Sequence, residues 1–199
     1  MRHLVIFAKA PRLGQVKRRL AAEIGDVEAL RFYRASLGAL IRRLARERRW
    51  KVRLAVTPDR AAGNDFPHAD GLTVVAQGEG DLGVRMGRAI AGCPPGPAIL
   101  IGTDIPAVSA THIVQGFELL RAADVVFGPA ADGGYWLVGA SAAGRRKLVF
   151  GPARWSTPHA LADSRAGLPA GTSVALADTL EDVDNAAAYA RWRARMTIG

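Results

Sequence analysis

The sequence predicts an α/β sandwich, and three observations carry that expectation. Strand-like and helix-like segments alternate from the first residues onward. The apolar runs Leu4–Ala8 and Ala98–Ile101 are short and continuous, as buried strands are. The second run stops abruptly at Thr103-Asp104, and Pro106 biases the residue before it toward extended backbone. A buried strand that ends in a carboxylate presents it at the sheet's C-terminal edge, where open parallel sheets keep their ligand crevice. Asp104 is therefore read as functional. Ser109, directly ahead of the periodicity Ile113, Phe117 and Leu120, is the better cap for the next helix.

The 199 residues fit one domain, 1–199, because no Ser/Gly-rich or charge-block linker interrupts them. At 49% hydrophobic and 23% charged, the composition is globular and lacks a disorder signature. Cys93 is the lone cysteine, so no internal disulfide forms, in keeping with a reducing cytosol. The leading apolar run is too short for a signal-peptide core or a membrane span. A soluble, cytoplasmic protein with no membrane partner is expected.

A formal net charge of +9 would suit nucleic acid, an anionic membrane surface or phosphate-bearing small substrates. Much of the excess sits in Arg42-Arg43, Arg46, Arg48-Arg49, Lys51 and Arg53, around a helix end where cations complement the dipole. Trp50 is alone among them, without an RNA-binding signature. The cluster reads as a solvated basic face, so nucleic acid is not the expected partner.

Taken in order, Leu4–Ala8 is a central strand. Lys9-Ala-Pro-Arg-Leu-Gly-Gln-Val-Lys-Arg-Arg-Leu20 follows as a loop with Pro11 and Gly14, then a helix start. Strand, glycine-containing loop and basic helix N-terminus suit a phosphate, with Lys9, Arg12, Lys17, Arg18 and Arg19 adding charge. The glycines of a Walker A or GxGxxG loop are missing. Asp26 to Arg49 has helical spacing through Val27, Leu30, Tyr33, Leu37, Leu40, Ile41 and Leu44. Val52–Val56 is a strand closed by Thr57-Pro-Asp59, and the polar stretch 63–71 is loop. Leu72–Ala76 is the next strand. It runs into Gln77-Gly-Glu-Gly-Asp-Leu-Gly83, a glycine-rich turn where a ligand would approach backbone closely, before a helix through Met86 and Ile90.

Ser109–Ala122 reads as a helix and Asp124–Pro129 as a strand. Asp132-Gly133-Gly134 then makes a tight turn, and Tyr135–Val138 returns as a strand, antiparallel across the sheet. Tyr135 and Trp136 suit either a sugar- or base-contacting wall or a plain hairpin with core aromatics. Arg154-Trp-Ser-Thr157 precedes a helix that Pro158 opens. Ser173–Ala177 is the last strand, Asp182-Val-Asp184 is an Asp-x-Asp, and a final helix carries Tyr189 and Trp192 on an apolar face. His3, His68, His112 and His159 have no metal-ligand spacing and read as incidental. No Ser/His/Asp or Cys/His grouping is visible.

Six blocks stand out together. They are Ile6-Phe-Ala-Lys-Ala-Pro-Arg-Leu-Gly-Gln-Val-Lys17, Gln77 with Gly80-Asp-Leu-Gly83 and Arg85-Met86, Gly102-Thr-Asp-Ile-Pro106, Gly128-Pro-Ala-Ala-Asp-Gly-Gly-Tyr135, Trp155-Ser-Thr157 and Asp182-Val-Asp184. In this order and approximate spacing the chain resembles small bacterial transferases of the nucleotide-diphospho-sugar transferase superfamily. Those relatives are the radical-SAM/selenodomain-associated, or arsenosugar-biosynthesis, glycosyltransferases. The resemblance implies a Rossmann-like GT-A three-layer sandwich with a mostly parallel central sheet. It also implies Mg²⁺ or Mn²⁺ on Asp104, with a second metal position at Asp184. Nucleotide and phosphate contacts are implied at Ala8, Lys9, Gly14, Lys17, Arg19, Gln77, Leu82 and Gly83. A sugar or acceptor pocket is implied at Gly133, Gly134, Tyr135, Trp155, Ser156 and Thr157. Two departures are visible. Lys17-Arg18-Arg19 stands where the family has Lys-Thr-Arg, and Asn185-Ala-Ala-Ala188 where it has Thr-Pro-Glu-Asp.

Transfer from a nucleotide-linked donor develops negative charge on a departing phosphate oxygen. A divalent cation on carboxylates, with Lys9, Lys17 and Arg19, neutralises it. Asp132 is the candidate for orienting or deprotonating an acceptor hydroxyl, so Asp104 and Asp132 are the expected catalytic pair. Three activities fit: a metal-dependent glycosyltransferase using a nucleotide sugar and a small-molecule acceptor, a nucleotidyltransferase that consumes an NTP and releases pyrophosphate, and a catalytically idle nucleotide- or nucleic-acid-binding module. The carboxylates speak against the last. The first loop, with one glycine and a rigid Pro11, leaves phosphate gripping to side chains and favours glycosyl transfer.

Overall fold

The computed structural model describes residues 1–63 and 66–197, so residues 64 and 65 of the 63–71 loop lie outside the described residues. The strands are β1 (His3–Lys9), β2 (Lys51–Thr57), β3 (Thr73–Ala76), β4 (Ala98–Ile101), β5 (Val125–Pro129), β6 (Tyr135–Ala140) and β7 (Val174–Leu176). The helices are α1 (Arg18–Ile24), α2 (Asp26–Ala45), α3 (Leu82–Ala91), α4 (Ala110–Leu119), α5 (Ala160–Ala166) and α6 (Ala186–Thr197). The strands make one sheet in the order β3-β2-β1-β4-β6-β5-β7. All pairings are parallel except those of β6, which runs antiparallel to β4 and β5. This is the expected α/β fold with a mostly parallel sheet.

Side-chain alternation along the strands builds the three layers. Leu4, Ile6, Ile99 and Ile101 face one side, where they are buried with Leu37, Leu40 and Ile41 of α2 and Ile113 and Phe117 of α4. Val5 and Leu100 face the other side, against Met86, Ala89 and Ile90 of α3. A third cluster joins Leu20 of α1, Phe32 of α2, Tyr189 of α6 and Val183 ahead of that helix. Tyr189 and Trp192 pack on Phe32 with ring centroids 5.3 and 4.8 Å away, as the apolar face of the last helix predicts. Among the described residues no helix is long and apolar enough to cross a membrane.

Three helix boundaries depart from the sequence reading. The second helix stops at Ala45 instead of running to Arg49, because Trp50 folds back into the core and its Nε1 donates to the Leu44 carbonyl at 3.1 Å. The fourth stops at Leu119 instead of Ala122, its last turn tightening through the Arg121 and Ala122 amides onto Glu118 and Leu119. Pro158 does not open α5, which starts at Ala160. It packs its backbone on Gly133 instead, where a Cβ would lie 2.3 Å from the Pro158 carbonyl oxygen.

The register opens the crevice. Strand β1 pairs with β4 from His3↔Ala98 to Ile6↔Ile101, then continues alone on that side to Lys9. Strand order reverses between these two neighbours, and the chain after β4 turns out of the sheet at that switch point.

Candidate active site

Four segments meet at this edge. The chain leaving β4 brings Thr103 and Asp104. Strand β6 is antiparallel, so its first residues lie at the ends of β4 and β5 and set the Asp132–Gly134 turn at the same edge. The segment after β7 crosses the edge, held by Leu180 N–H to Pro129 O at 3.1 Å and Val183 N–H to Asp104 O at 3.2 Å. The loop after β1 closes the fourth side. Together they surround a pocket of about 460 Å³.

Lys17 is the electrostatic centre. Its Nζ lies 2.6 Å from Asp104 Oδ1 and 2.9 Å from Asp184 Oδ1, with the side chain only 2% exposed. Burial alone would lower its pKa, but Asp104 and then Asp184 outweigh that, so the ammonium is held above the ordinary lysine value. Arg19 stands outside it, Nη1 3.9 Å from Asp184 Oδ2 and largely exposed. Lys17 adopts a left-handed backbone, φ 50°, as does Ser156, φ 62°, across the pocket. Non-glycine residues in this region gather at sites whose surroundings over-determine them.

Asp104 is not a helix cap. Ser109 precedes α4, and its amide donates to His112 Nδ1 at 3.0 Å, so His112 has a capping task that the sequence reading missed. Asp182 is legible in the sequence as half of an Asp-x-Asp, with no role assigned by pattern. It lines the pocket, and burial, then Asp184 and Asp132, push its pKa up to about 6. The signal lay in the spacing, because residues i and i+2 of an extended segment share a side while Val183 turns into the core. Tyr33 reads as a core position in the sequence. Its hydroxyl exchanges bonds with the Lys9 amide and carbonyl at 3.0 and 2.9 Å and lies 3.4 Å from Thr103 Oγ1, tying the β1 loop to the Asp104 segment.

Away from Lys17, Gly134, Tyr135, Trp155, Ser156, Thr157 and Asp132 line the pocket with Leu82. Asp132 Oδ1 accepts from the Gly134 amide at 2.9 Å, which fixes the turn. Tyr135 and Trp136 both line the pocket, from half-buried and buried positions. Trp136 is buried with its Nε1 on the Asp178 carbonyl at 3.0 Å, and the Tyr135 hydroxyl lies 3.2 Å from Ser164 Oγ, its pKa raised by burial. Trp155 is presented by a strap that Arg154 anchors to Asp163 at 2.8–2.9 Å. Gly83 backs it, since a Cβ there would lie 2.6 Å from Trp155 Cζ2.

Other residues singled out by sequence stand outside the pocket lining. Gln77 is buried, its amide nitrogen on the Ala8 and Ala55 carbonyls and its oxygen accepting from Arg85 at 2.9 Å. The glycines of its turn approach protein rather than open space, Gly78 facing Arg88 and Gly80 facing Val84. Lys9 is exposed and Ala8 buried in the sheet. Gly14 borders a separate open hollow with Arg18 and Asp26.

Among the described residues, no three His, Cys, Asp or Glu side chains form a ready-made metal cage. Asp104 and Asp184 nevertheless converge on one cation, the Lys17 ammonium, and their hard oxygen donors suit Mg²⁺ or Mn²⁺. The donor set therefore fits such an ion if phosphate oxygens and water complete it.

A family model described as an uncharacterized protein conserved in bacteria, DUF2064, matches residues 40–157. No curated protein matches the chain. Among solved structures, a Desulfovibrio desulfuricans G20 protein described as a nucleotide-diphospho-sugar transferase is 26% identical, with TM-score 0.73 over 92% of this chain and 82% of that one. CMP:2-keto-3-deoxy-manno-octonic acid synthetase, complexed with CTP, is 13% identical with TM-score 0.60, over 98% of each chain. Glucosyl-3-phosphoglycerate synthase of Mycobacterium tuberculosis, in complex with Mn²⁺, UDP and glucosyl-3-phosphoglycerate, is 13% identical with TM-score 0.59, over all of this chain and 77% of that one. The last two likenesses establish shared fold. The neighbours are transferases of the nucleotide-diphospho-sugar type.

Proposed function

The chain belongs to the bacterial DUF2064 family, and on that premise we propose that it is a cytoplasmic, metal-dependent glycosyltransferase that moves a sugar from a nucleotide sugar to a small-molecule acceptor. The resemblance of its six sequence blocks to the radical-SAM/selenodomain-associated transferases supports this reading. The observation that carries it is the state of the β1 loop. The amides nearest the strand are already engaged, Lys9 by Tyr33, Ala10 by Thr57 and Arg12 by Ala10, and Gln15 is bonded to Arg12. With Pro11 carrying no N–H, the stretch 9–12 that leaves the strand offers no free backbone donor to the pyrophosphate that leaves an NTP. Gripping falls to Lys17 and Arg19, which suffices for a nucleoside diphosphate that departs intact.

Asp104 and Asp184 would hold the divalent cation, which supplies charge neutralisation at the departing phosphate when bound. Lys17 and Arg19 bind and orient the diphosphate. Asp132, at the mouth beside the acceptor wall, orients or accepts the proton of the attacking hydroxyl. Tyr135, Trp155 and Leu82 exclude water from the sugar. A nucleotidyl transfer reading draws support from the end-to-end match to the CTP-complexed synthetase.

Incubation with Mn²⁺ and separate panels of NTPs and nucleotide sugars, assaying nucleoside diphosphate and pyrophosphate independently, tests the choice. Release of nucleoside diphosphate from a sugar donor is expected. Pyrophosphate from an NTP, with no diphosphate from any sugar donor, would replace this reading with nucleotidyl transfer.

A further inference from the structure

We infer that Lys17 competes with the divalent cation for Asp104 and Asp184, so that the free protein binds metal weakly and nucleotide relieves the competition. This rests on the metal-dependent reading above. The ammonium already occupies the space that the two carboxylate oxygens enclose, at 2.6 and 2.9 Å. It is also the sealed member of the group. Lys17 is 2% exposed, against 61% for Asp104, and its Nζ sits 5.9 Å from the Phe32 ring centroid. A third contact, to the Asp104 carbonyl at 3.4 Å, points the ammonium inward.

A divalent cation at ordinary ligand distance from the same oxygens would stand a few ångströms from that ammonium, about 4 Å or less, where like charges repel strongly in a part-buried site. One of the two must leave. Lys17 is the one that yields, because both carboxylates are needed as ligands and the ammonium rides on a flexible four-carbon stem. Once displaced, the ammonium finds its next anion in the nucleotide's phosphates, beside Arg19. Metal and nucleotide then favour each other through one side chain. The coupling is reciprocal: each ligand raises the other's affinity by the same factor.

The test measures Mn²⁺ binding by electron paramagnetic resonance in wild-type protein, Lys17→Met and Lys17→Arg, without nucleotide and with nucleoside diphosphates. Without nucleotide, Lys17→Met should bind Mn²⁺ roughly tenfold or more tightly than wild type, and Lys17→Arg should stay close to wild type. Wild-type protein supplies a second readout in case the Met variant folds poorly. Amine acylation mapped over Lys9, Lys17, Lys51 and Lys147 should find Lys17 protected in free protein and labelled roughly tenfold faster with saturating Mn²⁺ alone. Equal or weaker Mn²⁺ binding by Lys17→Met, or Lys17 protection unchanged by bound Mn²⁺, overturns the competition and leaves the metal-dependent reading standing. No Mn²⁺ binding by any form, even with nucleoside diphosphate, overturns both.

Discussion

Asp104, Asp182 and Asp184 reach one pocket with a single buried ammonium among them, so their roles separate by exposure and partner. Asp104 is 61% exposed and shares Lys17 with Asp184, which stays to neutralise the lysine if Asp104 is lost. Asp104→Asn should therefore cut kcat/KM by about 100-fold or more while changing stability by about 1 kcal/mol or less. A melting point many degrees lower without ligand would make Asp104 a structural residue. Asp182 behaves oppositely. Its folded pKa of about 6 lies above the ordinary aspartate value of 3.8, raised by burial and then by Asp184 and Asp132. The folded state thus binds the proton more tightly than the unfolded chain, and this residue's contribution to stability falls as pH rises between those two values. Asp182→Asn should stabilise metal-free protein above pH 6 by about 1–2 kcal/mol, discounted for solvent screening, and change little near pH 4. Equal effects of the substitution at both pH values, in denaturant titrations, would refute this.

At the scale of elements, the pocket walls depend on close packing between helix α3 and the strap that carries Trp155. Gly83, in the first turn of α3, leaves no room for a methyl group, with ideal Cβ positions 2.6 Å from Trp155 Cζ2 and 2.7 Å from Phe150 Cβ. Gly83→Ala should cost about 1–3 kcal/mol through overpacking. It should also raise KM for the donor more than it lowers kcat, because it displaces a wall and leaves the charged groups alone. Melting and steady-state kinetics together decide this. A variant with unchanged melting and unchanged KM would show that the strap adapts freely. Gly133 supports the same strap from the β6 side, letting the Asp132 turn lie directly on Pro158.

At the scale of the whole molecule, the site joins segments from both ends of the chain, with Lys17 and Asp184 bridged by one ion pair. A ligand that engages both must stabilise the global fold. Saturation at about a hundred times the dissociation constant adds roughly 2.7 kcal/mol. For a chain of this length that is a melting shift of about 5–11 °C. The shift is expected when a nucleoside diphosphate and Mg²⁺ or Mn²⁺ are present together, and not with the nucleotide alone. Scanning calorimetry without any shift under either condition would end the enzyme reading. Tight, steeply salt-dependent binding of single-stranded nucleic acid would turn attention to the basic face instead. That face is partly committed already, with Trp50 buried and Arg43 and Arg53 donating to the Pro106 and Gly92 carbonyls.

The sequence by itself determined the alternation of strands and helices, the antiparallel return at Tyr135, and the carboxylate at the end of the Ala98–Ile101 strand. These follow from local periodicity and turn chemistry, which are written along the chain. It also set Asp104 apart from the cap at Ser109, since capping is a short-range contest. Only the tertiary structure decided which basic residue meets which acid. Lys9, Lys17 and Arg19 look interchangeable in the loop, yet Lys17 alone is sealed between Asp104 and Asp184, 87 and 167 residues away. The glycines after β3 advertised a ligand but face Arg88 and Val84, and Gln77 is spent on backbone carbonyls. Strand order and register bring such groups together or hold them apart. Those depend on long-range pairing, to which local sequence pattern is blind.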